Sequence, residues 1–365
     1  MLNYGKLKLS YGTIGNDQIG DYQYLDTWSG TRFTYQGVAG LYPTRITNPD
    51  YSWERKMNID LSLELGLFKN RLLVNATLFR SRSNNQIIRY TLPDQTGSNN
   101  ILRNFAGEVE NKGLELEISS TNISSSSFKW ETSFNLTIPK NKLVAFPGLS
   151  TSSYSKTYVI GQPLNIVMGL NYQGVDKQTG IYQFEDVNHD GTINSLDNVL
   201  LGTYDPRYYG GLQNTFRYKS LELQFLFQFV KQNGRDVVYG STLRYGYMIN
   251  QPTFILDRWQ KPGDVAPYQK YTQSSSSPAW NPGSQIASSD AALVDASFIR
   301  LKNLSFNYTL TGSWMKKIYM QSGRVFVEAQ NLFTITNFKG TDPENQNRLT
   351  LPPLRMIATG FSFTF

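Results

Sequence analysis

The sequence predicts an all-β protein, an antiparallel β-barrel that crosses a membrane with its strands. Three observations lead to this prediction: apolar and polar residues alternate over long stretches, short turns alternate with long polar segments, and an aromatic alternating run ends at Phe365. Alternation with a period of two is the pattern of a strand with one apolar and one polar face. We count about a dozen such strands over the 365 residues.

The clearest strand runs from Trp53 to Leu67, where apolar residues occupy the odd positions with Arg55 as the one exception. This run is about twice as long as a typical strand of a soluble protein. Lys69 and Asn70 follow as a predicted tight turn, so the next apolar series forms the second strand of a hairpin. The same alternation recurs in residues 7–11, 114–118, 128–138, 221–229, 324–330 and 361–365.

The segments between the strands are of two kinds, short turns and long polar loops. We predict four long extracellular loops, at about 84–110, 139–165, 176–209 and 232–296. Transmembrane barrels have this asymmetry, because their periplasmic turns are short and their extracellular loops are long. A tilted strand needs roughly 9–11 residues to cross the bilayer, and several of the alternating runs reach that length.

The composition argues against several classes of function. The chain has no Cys and a single His, His189, which speaks against disulfides, thiolate sites, a His-based triad and a His-ligated zinc site. Its 35 Lys and Arg exceed its 28 Asp and Glu, for a net charge of +7, but no run of five basic residues occurs. We therefore expect no nucleic-acid partner, and basic side chains that face anionic lipid phosphates instead.

The candidate catalytic carboxylates are pairs two residues apart, Glu108 with Glu110 and Glu115 with Glu117. At that spacing both members of a pair share one strand face, as charges that line a lumen do. We predict from this that the protein is not an enzyme and has no catalytic residue.

A twelve-residue segment, DVNHDGTINSLD at 186–197, has the ligand spacing of a calcium loop. Gly191 permits its sharp turn, and Asp at position twelve is shorter than the usual Glu, so Mg²⁺ can compete with Ca²⁺. A turn of Asn, Asp and Gly without a metal is the open alternative. We predict a structural metal site with the ligands Asp186, Asn188, Asp190, Thr192 and Asp197.

Seven short segments resemble, in their order and spacing, the carboxy-terminal barrel of SusC/RagA-type TonB-dependent outer-membrane transporters. The resemblance covers nearly the whole chain and implies about a dozen strands out of a barrel of about 22 that surrounds a plug. The segments are LKLSYG at 7–12, GN at 15–16, NPDYSWE at 48–54, NKGLE at 111–115, DPRYYGG at 205–211, SFIRLKNL at 297–304 and QNLFT at 330–334.

The resemblance also implies a function, partners and a location. Importers of this family take up oligosaccharides or peptides across the outer membrane, with energy relayed by TonB and a SusD-like surface lipoprotein as a lid. The family's plug domain and TonB box have no match here, so we expect residues 1–365 to be the carboxy-terminal portion of the barrel. Glycan or peptide substrate would pass polar residues that face the lumen, among them Asn58, Asp60, Glu64, Asn75 and Gln224.

A second architecture stays open, a secreted β-sandwich that is braced by calcium and binds glycans or acts as an adhesin. In that case a second sheet would cover the apolar strand faces and seal Leu61, Leu63 and Phe225 between two layers. In the barrel, by contrast, outer-membrane lipid covers these faces. An open sheet in lipid would leave costly unpaired backbone groups at both edges, so either further strands close the barrel or this half curls into a smaller one.

Overall fold

In a computed structural model, the chain is described over residues 2–98, 100–237, 239, 250–251, 253–346 and 350–365. These residues form nineteen strands and two short helices, α1 (Trp280–Gln285) and α2 (Ser313–Lys317). The strands are β1 (Leu2–Asn16), β2 (Thr27–Tyr35), β3 (Val38–Arg45), β4 (Glu54–Leu67), β5 (Leu72–Thr91), β6 (Asn100–Ser124), β7 (Phe128–Ala145), β8 (Ile166–Gly169), β9 (Tyr172–Val175), β10 (Tyr182–Phe184), β11 (Val199–Thr203), β12 (Tyr208–Tyr218), β13 (Leu221–Lys231), β14 (Asn233–Arg235), β15 (Leu293–Asp295), β16 (Phe298–Leu310), β17 (Ser322–Gln330), β18 (Thr334–Thr336) and β19 (Met356–Thr364).

Eleven of these strands build one antiparallel sheet, which we call the wall. Its order is β1, β4, β5, β6, β7, β12, β13, β16, β17 and β19, with β18 pairing beside them on β16. Strands that follow one another in the chain are mostly neighbours in the sheet, as in barrels that run up and down. Within the described part of the chain, β1 pairs only with β4 and β19 only with β17, so the wall has two free edges.

At one end of the wall three of the four connections are short, and the fourth, between β16 and β17, contains α2. Between β4 and β5 the chain reverses over Phe68, Lys69 and Asn70, all of which have positive φ, so the predicted turn is confirmed. The side-chain oxygen of Asn3 accepts a hydrogen bond of 2.6 Å from the backbone N–H of Lys69, which holds the turn against β1. The β6–β7 and β12–β13 connections are equally brief.

The wall has an apolar and a polar face, because each strand alternates and the register places like beside like. Leu61 on β4 lies opposite Leu9 on β1 and Leu78 on β5. One position earlier, Asp60 lies opposite Ser10 on β1. A transmembrane barrel needs this arrangement, with lipid on one face of each strand and water on the other.

The apolar face of the wall is exposed, so the structure does not support the β-sandwich alternative. Leu61 and Leu63 each keep 40% of their surface exposed, and Phe361 keeps 72%. A facing sheet would have sealed these side chains in a core. The all-β antiparallel fold itself is confirmed.

The long connections at the opposite end of the wall fold into a structure of their own, which we call the end assembly. It comprises β8 to β11, β14, β15 and α1, and its strands pair as three two-stranded sheets. Leu170, Tyr182, Phe184 and Ile286 form its buried core. In the part of the chain that the structure covers, no helix has the length and apolarity to cross a membrane.

The predicted loop boundaries need correction. Most of 84–110 is paired strand, since β5 runs to Thr91 and Thr91 lies opposite Asn100, the first residue of β6. The segment 139–165 begins inside β7, which ends at Ala145. Past the apolar band the outward face of these strands is charged, as at Glu110 and Lys142, whereas Val109 and Leu143 lie on the other face. The apolar and polar positions of the pattern have therefore exchanged faces, and the sequence no longer marks the segment as part of the same strand. The other two predicted loops contain β10 and β11 in 176–209, and β14 and β15 in 232–296.

Candidate functional site

The polar face of the wall carries the residues predicted to line a path. Asn58 and Asp60 line an open pocket of about 670 Å³ on this face. Asp60 accepts a hydrogen bond of 3.1 Å from the hydroxyl of Ser10, which links β4 to β1. The pocket crosses β1, β4, β5 and β6, and the other polar residues of its lining are Lys8, Lys56, Ser62, Thr77, Ser81, Asn111 and Glu115.

Glu64, Asn75 and Gln224 lie on the same face of the wall at other levels. Glu64 is the register partner of Asn75 and accepts hydrogen bonds from the ammonium of Lys8 and, at 3.1 Å, from the hydroxyl of Tyr4. Gln224 belongs to the polar series of β13, on the far side of β7. The five predicted residues therefore share one face, and two of them share one pocket.

Charges on the polar face are paired, both across neighbouring strands and within β7. The guanidinium of Arg217 on β12 lies 2.8 Å from the carboxylate of Glu131 on β7 and 2.6 Å from that of Glu222 on β13. The ammonium of Lys129 lies 2.7 Å from Glu131. Such partly exposed pairs stabilise a fold by only about 0–1 kcal/mol each. They leave a hydrated, nearly neutral surface near the short turns.

Arg300 of β16 is a buried cation on the polar face that sequence reasoning missed. It pairs with Asp342 and, at 2.7 Å between nitrogen and oxygen, with Glu344. Its Nε donates a hydrogen bond of 2.9 Å to the hydroxyl of Thr334. These bonds hold the connection after β18 against the wall. The motif at 297–304 contains Arg300, but the spacing of forty-two residues to Asp342 carries no signal of the contact.

The two carboxylate pairs lie on opposite faces, which corrects the expectation that both line the lumen. Glu115 lies in the pocket of the polar face. Glu108 and Glu110 instead follow the outward-facing series of β6, because that strand continues past the apolar band. Glu110 is held there by Arg80 and Arg82, at 2.6 and 2.9 Å. The carboxylate of Glu110 is therefore ion-paired on the outer surface and does not face the lumen.

The predicted metal loop folds into successive tight turns that Asp197 closes. Asp186 accepts hydrogen bonds from the backbone N–H groups of Asp190 and Gly191, at 3.2 and 2.8 Å. The buried carboxylate of Asp197 accepts one from the backbone N–H of Asn194 at 2.8 Å. This bond is the main reason that the pKa of Asp197 lies below its usual range.

The fit of this loop to a cation is partial. Within the described ranges, no group of three or more His, Cys, Asp or Glu side chains is placed to hold a metal ion. The Asn188 side-chain amide donates to Asp190 at 2.9 Å, and the Thr192 carbonyl accepts from Asn194 at 3.0 Å. Each such oxygen retains a second lone pair for a cation. The metal site stays a prediction.

A sheet with an exposed apolar face and a polar, ion-paired face defines a class of protein, the outer-membrane β-barrels. The family model of the TonB dependent receptor-like β-barrel matches residues 3–332, so the chain belongs to this family. This membership confirms the transmembrane barrel fold and the outer-membrane location.

Relatives support the resemblance stated from the sequence motifs. TonB-dependent receptor P3 of Formosa agariphila is 28% identical over 372 residues, which cover 94% of this chain and 36% of the relative. TonB-dependent receptor SusC of Bacteroides thetaiotaomicron is 24% identical over 390 residues, which cover 99% and 37%. A solved structure of the RagAB peptide transporter matches the whole chain with a TM-score of 0.84 at 25% identity, over 41% of that chain. This chain therefore spans well under half the length of these relatives.

Proposed function

We propose that this chain forms part of the wall of a TonB-dependent importer, which carries oligosaccharides or peptides across the outer membrane. The observation that carries the proposal is the two-faced wall, whose polar face offers a hydrated path while its apolar face contacts lipid. The names of the relatives support it, since they are TonB-dependent receptors and a peptide transporter. The protein has no catalytic role in this proposal.

The free edges of β1 and β19 support a barrel larger than this sheet. An unpaired backbone group in the bilayer core costs several kcal/mol, so both edges need partner strands. The relatives are more than twice as long as this chain. We propose that further strands and a plug complete the barrel, and that TonB acts through that part.

The partner that we propose at the end assembly is a SusD-like surface lipoprotein. The end assembly contains the long connections of the wall. It also exposes apolar side chains that suit contact with another protein. Leu196 and Val265 are 59% and 82% exposed. Scattered exposed apolar residues are common, so the support comes from their position at the mouth of the barrel.

Uptake by cells tests the importer proposal. We expect a strain that lacks the gene to take up less labelled oligosaccharide or less labelled peptide, and the wild-type gene to restore the loss. Asp60→Leu, on the polar face, should lower uptake while the protein remains in the outer membrane. The matched outward change, Leu61→Ile, should leave uptake unaltered. Unchanged uptake of both substrate classes in the deletion strain would contradict the proposal.

For the loop at 186–197 we propose a structural Ca²⁺, with Mg²⁺ as a weaker competitor. The ligand spacing and the hydrogen-bonded turns support this, because calcium loops use carboxylate and carbonyl oxygens. Calorimetric titration of the purified protein with CaCl₂ and MgCl₂ tests it. We expect heat of binding that Asp186→Asn with Asp190→Asn abolishes and that Asp21→Asn, an exposed carboxylate of another loop, leaves intact. A wild type without such heat rules the metal out.

A further inference from the structure

Above the apolar band, the outward face of three neighbouring wall strands becomes basic. The change occurs at one level on β5, β6 and β7. The last apolar row across these strands consists of the register partners Leu78, Leu114 and Ile138, and the next outward row consists of Arg80, Lys112 and Lys140. We call the charged set the basic patch: Arg80, Arg82, Glu108, Glu110, Lys112, Lys140 and Lys142.

Both carboxylates of the basic patch are occupied by cations of the patch itself. The side chain of Glu110 is only 5% exposed, and its oxygens lie 2.6 Å from Arg80, 2.9 Å from Arg82 and 3.3 Å from Lys112. Glu108 lies 2.9 Å from Arg82. The carboxylates therefore hold the cations in place, and little negative charge faces outward.

The two lysines of β7 add charge that has no counterpart. Lys140 and Lys142 are exposed, and neither ammonium has an ion-pair partner among the residues that the structure describes. Five cationic and two anionic side chains make up the patch, so it carries an excess of three positive charges. An anionic ligand from outside the chain can neutralise this excess.

The position of the basic patch indicates that its anionic ligand is a lipid headgroup and not a transported substrate. The patch lies on the lipid side of the wall, directly beyond the apolar rows, where the headgroups of a bilayer lie beside a barrel. It faces away from the pocket that holds Asn58 and Asp60, so a transported substrate does not meet it. On β13, Phe229 lies in the apolar row of Leu136, and the next outward residue, Lys231, is a cation that Asp295 pairs with. The unpaired positive charge therefore belongs to β5, β6 and β7.

We propose that the basic patch binds the phosphate of a glycolipid headgroup in the outer leaflet, with the acyl chains of that lipid along the apolar rows below. The row of three cations is about 10 Å wide at the usual strand spacing of about 4.8 Å, which suits one headgroup. Lysine and arginine bind phosphate through charge-assisted hydrogen bonds. The inference rests on the proposed placement of the long connections outside the cell.

Lipid retention tests the proposal through Lys140→Gln combined with Lys142→Gln. Because neither lysine holds another residue, this double variant keeps the fold of the wall. The protein is purified in neutral detergent and exposed to micelles that contain lipid A, and the bound lipid is counted by native mass spectrometry. We expect the double variant to retain about thirtyfold less lipid A than the wild type, given the contribution of two lysines beside an anionic surface.

Three controls define the result. Lys69→Gln with Lys219→Gln removes the same charge at the short turns and should retain lipid A as the wild type does. Dephosphorylated lipid A should bind the wild type and the double variant equally weakly. Sodium phosphate without lipid should bind far more weakly than lipid A.

The outcomes separate this site from the importer. Equal retention of lipid A by both double variants overturns the proposal, and so does inorganic phosphate that binds as tightly as lipid A, since the ligand would then be free phosphate. Substrate uptake by the Lys140 and Lys142 double variant should equal that of the wild type. If the deletion strain shows no loss of uptake, the importer proposal fails, but the measurement of lipid A retention still tests the basic patch.

Discussion

The wall and the end assembly differ in what covers their apolar side chains. In the wall, Leu61 and Leu63 remain 40% exposed on one continuous face. In the end assembly, Tyr182 and Ile286 are each only 2% exposed and pack in a core of the kind found in soluble domains. The difference reflects the solvent, because lipid covers the apolar face of a barrel whereas water drives apolar groups into an interior.

The comparison shows how one chain combines two designs. Strands of the wall such as β4 have fourteen residues with a period of two, whereas β8 and β9 of the end assembly have four residues each. Long strands gain their hydrogen bonds from neighbours in a continuous sheet, and short ones depend on packing. Changes in the two regions should therefore have separable effects, and the following four predictions run from the largest effect to the smallest.

Removal of residues 361–365 should prevent assembly of the wall. β19 would lose the part that pairs with β17 from Val325 to Ser322, and an edge with unpaired backbone groups does not persist in lipid. We expect the truncated protein to be absent from the outer-membrane fraction. Deletion of 274–276 in an exposed loop of the other region should leave insertion intact. Normal insertion of the truncated protein would contradict the prediction.

Phe184→Ala should destabilise the end assembly by about 3–5 kcal/mol, because truncation of a buried aromatic leaves a cavity. Hydrogen exchange should rise in β8 to β11 and stay unchanged in β4 and β5. Phe184→Leu, which keeps most of the volume, should have a smaller effect. If exchange in the wall rose equally, the two regions would be one cooperative unit and the comparison would fail.

Leu63→Lys should destabilise the wall by about 2–4 kcal/mol, since a lysine on the lipid face of a barrel is costly. Ser62→Lys, one residue away on the polar face, is the matched control and should cost little. Both are measured by denaturant titration of the protein folded into vesicles. Similar losses of unfolding free energy in the two variants would mean that lipid does not cover one face of β4 and water the other.

A small effect of pH should appear at the contact between β15 of the end assembly and β13 of the wall. The Lys231 ammonium, 2.6 Å away, lowers the pKa of Asp295 to about 2. A lowered folded pKa stabilises the fold above the ordinary value of about 3.9, and this stabilisation is lost as the pH falls from about 4 to about 2. Because the carboxylate is half exposed, solvent screening keeps the effect small. Asp295→Asn should reduce the pH dependence of thermal melting in this range, whereas Asp21→Asn should leave it unchanged.

The strands of the wall could be predicted because their signal is local. The alternation from Trp53 to Leu67 specifies both faces of β4, and the path residues Asn58 and Asp60 followed from it. Prediction was wrong where that signal ends. Glu108 and Glu110 were expected in the lumen, but they belong to the part of β6 above the apolar band, where the outward face is charged.

The sequence by itself determined that the protein has long two-faced strands, because a period of two depends only on neighbouring residues. Tertiary structure alone decided that Arg300 meets Asp342 and that three strands bring their cations into one basic patch. Those arrangements join residues far apart in the chain, and strand register, which depends on the whole sheet, sets which of them become neighbours.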